Sequence, residues 1–130
     1  AGSAETFHGT VSDNVGLARE SVSQNRVRES LAEVRLSETV LALPEGLSTR
    51  LQSDGYPLSK EQQAQLMIAR AIAARPRVFV INGLLDKLSE KVREPVWRAL
   101  TCEDARWTLI VATCQDDVAA LCDAQISVRS

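Results

Sequence analysis

Hydrophobic residues recur at two rhythms along this chain, and the rhythm changes near Pro57. In the first part Val27, Leu31 and Val34 fall on one helical face behind the polar run Ser23-Gln24-Asn25, which predicts a helix opening at that run. A shorter helix holding Val15 and Leu17 is expected before it, capped by Ser12 or Asp13. Ser37 is expected to cap a turn through Val40, Leu41 and Leu43, ended by Pro44 and Gly46. Leu47 to Tyr56 then reads as loop, with Gly55 and Pro57 as breakers. Residues 1–57 contain no convincing strand pattern.

From Leu58 onward, helical and strand patterns alternate. Ser59 to about Ala74 is expected to be a helix with Leu66, Ile68, Ala69 and Ile72 across a broad buried face. After a turn at Pro76, Val78–Ile81 is an unbroken apolar strand. Glu90 to Leu100 reads as a helix with Pro95 in its path, either within the first turn or as a kink. Thr108–Ala112 is a second apolar strand, Asp116 to Leu121 a short helix and Ile126–Val128 a third strand. Strands apolar on both faces and separated by helices predict parallel pairing with right-handed crossovers. The expected class is α/β, with a helical region at 1–57 and, at 58–130, a short parallel sheet of about three strands flanked by helices.

Composition narrows the picture only a little. A chain of 130 residues that is 45% hydrophobic can bury a modest core. Its net charge of −2 and pI near 5.4 offer no basic surface, so no nucleic-acid partner is expected. No apolar run reaches the ~18 residues that would cross a bilayer. The small, polar start Ala1-Gly2-Ser3-Ala4 does not resemble a signal peptide. Cys102, Cys114 and Cys122 form no CxxC pair, which favours reduced thiols over disulfides and gives no metal site.

The succession of short motifs is more specific. Phe7-His8-Gly9-Thr10-Val11-Ser12-Asp13-Asn14-Val15 resembles the FxGTIxENI segment that follows the Q-loop in ATP-binding cassettes of ABC transporters. Leu43-Pro44-Glu45-Gly46-Leu47-Ser48-Thr49 resembles the LPxGxxT stretch leading to the exporter X-loop. Leu58-Ser59-Lys60-Glu61-Gln62 is similar to the LSGGQ signature, Val78 to Gly83 to the Walker B strand, and Thr108 to Cys114 to the switch strand. The order and spacing, from Phe7 to Val128, resemble the exporter-type nucleotide-binding domain, and imply part of a P-loop NTPase fold.

The resemblance also implies roles, and here the chemistry departs from the family. The signature serine and the free N–H groups of the following helix would meet the γ-phosphate of an ATP held by the opposite subunit. The signature glycines, which let backbone approach phosphate, are replaced by Lys60 and Glu61, leaving Ser59 and Gln62 as the matching contacts. Ser59 as a plain helix cap, with Glu61 in the first turn, is the competing reading. The family's Walker B aspartate, which orders the magnesium water shell, is Asn82 here, and the glutamate that acts as base is Gly83. The D-loop aligns with Asp86-Lys87-Leu88-Ser89, with Asp86 read as an exposed loop or cap residue. The switch histidine becomes Cys114, expected to be a semi-buried structural thiol, and His8 is expected at the surface.

No GxxxxGK[ST] phosphate loop occurs in the sequence. The resemblance therefore implies the C-terminal part of a longer nucleotide-binding domain. ATP and Mg2+ are expected for the full-length family member and none for these residues. Implied partners are a second nucleotide-binding domain and the transmembrane domain, contacted through about residues 10–75, on the cytoplasmic face of the (inner) membrane. Two readings stay open. One is a subunit of an ATP-driven exporter; the other is a non-catalytic pseudo-ATPase module paired with an active cassette. In the family the phosphate-loop strand lies between Thr108–Ala112 and Ile126–Val128. Without it the edge of Thr108–Ala112 is open, so self-association or a rearranged last strand is expected.

Overall fold

A computed structural model describes residues 7–16, 22–102 and 107–113. Helix α1 spans Val11–Gly16, α2 Gln24–Glu33, α3 Ser37–Leu41, α4 Lys60–Ala73 and α5 Glu90–Thr101. Strands β1, Val78–Asn82, and β2, Thr108–Ala112, pair in parallel in the register Val78 with Thr108 through Asn82 with Ala112. Short 3-10 turns lie at Gly46–Ser48 and Leu85–Lys87. The expected α/β order holds through β2. Leu17, Cys114, the 116–121 helix and the 126–128 strand lie outside the described residues.

Caps decide where the first helices begin and end, and they differ from expectation. Helix α1 is capped by Thr10, not by Ser12 or Asp13. The Asp13 N–H donates to Thr10 Oγ1 at 3.0 Å, and the Thr10 N–H donates back to Asp13 Oδ2 at 3.1 Å. This reciprocal pair starts the helix before the residues that the sequence marks as caps. Ser23 does cap α2, accepting from the Arg26 N–H at 3.1 Å. Helix α2 ends with Arg35 in the left-handed region, at φ 62°. The Leu36 N–H reaches Leu31 O at 2.9 Å and the Arg35 N–H reaches Ala32 O at 3.1 Å. That is the Schellman arrangement, with buried Leu36 packing behind it. Because Leu36 is pulled into the core, α3 starts directly after it, and Ser37 is its first residue rather than its cap.

Helix α4 is the centre of the core. Leu66, Ile68, Ala69 and Ile72 are all fully buried, and the helix packs against α1 and α2. Two polar side chains tie the helices together through backbone carbonyls near helix ends. Buried Gln65 donates from Nε2 to Val34 O at 2.8 Å, satisfying the end of α2. Arg26 donates from Nη2 to Ile72 O at 2.8 Å, a carbonyl that also accepts the Arg75 N–H at 3.1 Å, and so places a cation at the negative pole of α4. Segment 7–11 runs antiparallel to 49–53, with Phe7 N–H on Ser53 O and Leu51 N–H on Gly9 O. This pairing carries the loop before α4 back across α1.

The first-turn alternative for Pro95 and the expectation of a sheet covered on both faces need correction. Pro95 lies inside α5, beyond its first turn, where it removes the N–H that the Lys91 carbonyl would accept. The sheet is buried on one face only. Phe79 and Ile81 are buried, whereas Val78, Val80 and Ile110 are 53%, 62% and 51% exposed. An unbroken apolar run implies two covered faces, but among the described residues the helices cover only one. Edge-to-face contact between Phe79 and Trp107, with ring centroids 5.2 Å apart, closes the covered side. Among the described residues β2 has β1 on one side and no strand on the other.

Candidate functional site

The signature-like residues occupy the N-terminal end of α4. Ser59 takes an extended backbone, φ −69° and ψ 167°, and its Oγ accepts the Gln62 N–H at 3.1 Å. Gln62 Oε1 accepts the Ser59 N–H in return at 2.9 Å. The serine hydroxyl and the glutamine amide, which the resemblance assigns to ATP, therefore form a capping box with each other. Ser59 keeps its O–H to donate, and the N–H groups of Lys60 and Glu61 have no acceptor within the helix. Ser59 and Lys60 are exposed, while Glu61 and Gln62 are half-buried.

Glu61, in the first turn of the helix, reaches a neighbouring segment. Its Oε2 accepts the backbone N–H of Ser89, the N-cap of α5, at 2.6 Å. The first turn of α4 thereby meets the segment that follows β1. Part of that segment, the 3-10 turn at Leu85–Lys87, also packs on α4.

Residues at the C-terminal ends of the strands form the second half of the site, the usual ligand side of an open parallel sheet. β1 ends at Asn82, and Gly83 follows with φ 74°. The Gly83 N–H donates to Ala112 O at 2.9 Å, so the strands stay paired to their ends. Nothing lies within 4 Å of the Cβ that Gly83 lacks, so the backbone angle, not crowding, selects glycine here. Asp86 is not the exposed loop residue that the sequence suggests. It is half-buried and accepts the Thr113 hydroxyl, joining the loop after β1 to the residue after β2.

The structure brings residues 59–62 beside the segment 83–89, and that segment beside the end of β2. It does not place Cys114, which lies outside the described residues. His8 is exposed, and its carbonyl accepts from Asn14 Nδ2 at 2.9 Å. The Glu61–Ser89 and Asp86–Thr113 contacts were missed from sequence, because each joins positions 28 and 27 residues apart. Only the Ser89-Glu90 pair ahead of Val92, Val96 and Leu100 signals where α5 begins. Among the described residues no group of His, Cys, Asp or Glu is arranged to hold a metal ion. No described helix is long and apolar enough to cross a membrane.

Relatives extend these observations. No family model matches the chain. An ABC-type transporter of Curvularia clavata is 32% identical over 82% of this chain and 8% of its own length. An ABC multidrug transporter of Trichophyton tonsurans is 36% identical over 82% of the chain and 8% of its own length. The ATP-dependent lipid A-core flippase of Cupriavidus metallidurans is 34% identical over 82% of the chain and 18% of its own length. The chain thus spans less than a fifth of each of these relatives. In fold it is similar to a bacterial Atm1-family ABC exporter solved with ATP bound, at a TM-score of 0.78 and 18% identity. That match covers 91% of this chain and 21% of the exporter chain. Fungal and bacterial ABC transporters each match four-fifths of the sequence at 32–36% identity, and by that homology the chain corresponds to a part of an ABC transporter.

Proposed function

We propose that this chain is the C-terminal part of the nucleotide-binding domain of an exporter-like ABC transporter, and that it does not itself hydrolyse ATP. The carrying observation is the end of β1. Gly83 has a left-handed backbone and no side chain where a base would stand, and neutral Asn82 precedes it. These residues do not fit the charge that a magnesium-bound nucleotide demands. At the signature end, Glu61 adds negative charge near any approaching phosphate, although the free N–H groups of the α4 N-terminus favour an anion. In the parent protein the domain would sit on the cytoplasmic face of the membrane, against a transmembrane domain and a second nucleotide-binding domain. ATP and Mg2+ would belong to the assembled cassette pair, not to this chain alone.

A second reading, a non-catalytic module paired with an active cassette, is supported by the capping box, which engages Ser59 and Gln62 within their own helix. Calorimetric titration of the 130-residue chain with Mg-ATP is expected to show no micromolar binding, and phosphate release is expected to match the buffer blank. Turnover above the blank that a Ser59→Ala variant abolishes would reject the non-hydrolytic assignment.

Among the described residues no strand pairs the far side of β2 and Val78, Val80 and Ile110 are exposed, which also supports self-association of the isolated chain. Light scattering is expected to report a mass above the monomer that falls on dilution. A constant monomer mass across concentrations rejects it.

A further inference from the structure

The bond between Glu61 and Ser89 supplies one half of a capping box from another helix: the Ser89 N–H is met by a carboxylate, while the Ser89 side chain makes no cap bond. In α5 the N-cap is Ser89, and the residue three positions on, where a glutamate or glutamine would reach back to the N-cap N–H, is Val92. Valine has no acceptor. Glu61, in the first turn of the 14-residue α4, supplies the carboxylate instead, at 2.6 Å. One carboxylate thus stands at the positive ends of both α4 and the 12-residue α5. The glycine that the family places at this position has no such group.

The segment that this bond closes is also held at its start, where the Gly83 N–H meets Ala112 O, and at its middle. Its 3-10 turn carries two bonds of 3.2 Å, Lys87 N–H on Leu84 O and Leu88 N–H on Leu85 O. Its start, at Gly83, is the most permissive residue for a change of direction. Asp86 anchors its middle to Thr113, and Leu85 and Leu88 are buried. Glu61 closes its far end against α4.

We propose that Glu61 is a latch: a positioning residue that ties segment 83–89 to the signature end of α4, so that the two move as one body. The latch needs no nucleotide, so its failure and the failure of the proposed function are read in separate experiments.

Amide hydrogen exchange, followed by NMR on the 130-residue chain, tests it. In Glu61→Ala the amides of Ser89, Lys87 and Leu88 are expected to exchange about tenfold faster or more than in the unaltered chain. The amides of Gln62 and Gln63, held by Ser59, are expected to keep their rates. Acceleration of Ser89 alone would reduce the contact to a single local bond and overturn the latch. Unchanged exchange at Ser89 overturns it too, as does a Ser89 amide already unprotected in the unaltered chain. Should Glu61→Ala also free the Gln62 and Gln63 amides, Glu61→Gln decides by the same three amides. It keeps a neutral oxygen acceptor, so their acceleration is expected to be smaller but shared. Rates equal to those of the unaltered chain, or a change at Ser89 alone, overturn the proposal.

Discussion

Ile68→Ala is expected to lower the stability of the fold by about 2–5 kcal/mol, the range for emptying a fully packed aliphatic site. Ile68 has no exposed surface and sits on the helix against which α1 and α2 pack. Its loss removes apolar burial and leaves a void that surrounding helices, fixed by the Gln65 and Arg26 bonds, can fill only in part. A domain of this kind is stabilised by about 5–15 kcal/mol in total, so the variant loses a large share of it. Denaturant unfolding checks this: the midpoint should fall while the slope is unchanged. Leu41→Ala is the matching control. Leu41 is 77% exposed, and its truncation should move the midpoint little. Equal effects from the two variants would mean that α4 is not the centre of the core.

Gly55→Ala is expected to cost about 2–3 kcal/mol, for two reasons that add. The backbone there has φ 92°, where any side chain is strained. The new Cβ would also run into the side chain of Gln63, which must then swing away. That side chain donates from Nε2 to Leu58 O at 2.9 Å, at the entry to α4, so the bond is lost as well. Combining Gly55→Ala with Gln63→Ala separates the contributions. The double variant relieves the collision but keeps the backbone strain, so it should be less destabilised than the sum of the two single variants. Simple additivity in thermal unfolding would show that the collision contributes nothing.

Much of the fold was legible because local chemistry and final structure agree. Ser23 and Ser59 mark helix starts by side-chain oxygens that reach a backbone N–H within the same turn. The α4 face and the β1 and β2 strands follow from the spacing of apolar residues. The end of α2 was harder, since Arg35 adopts an angle for which glycine is the usual signal. Its arrangement is held by the Leu36 N–H on Leu31 O, with both side chains buried, which spacing does not announce. The sheet was misjudged on one side for a related reason: Val78 and Val80 look the same in sequence whether a helix covers them or not. At the site, the departures at Asn82 and Gly83 could be read directly. What Glu61 and Asp86 do instead could not, because their partners lie on other elements.

The left-handed turn at Gly83 has a consequence for the history of such a chain. On the proposed reading, an ancestor carried glutamate there on a backbone that accepted it. The present backbone disfavours any L side chain by about 1–2 kcal/mol, even though the space beside it is empty. A mutation that put glutamate back would meet that resistance first, and would gain no metal-ordering charge while Asn82 remained. The intermediate would fold less well and catalyse no better, so selection has no gradient to follow. On that reading, a chain settled into this angle has no single-step way back to hydrolysis.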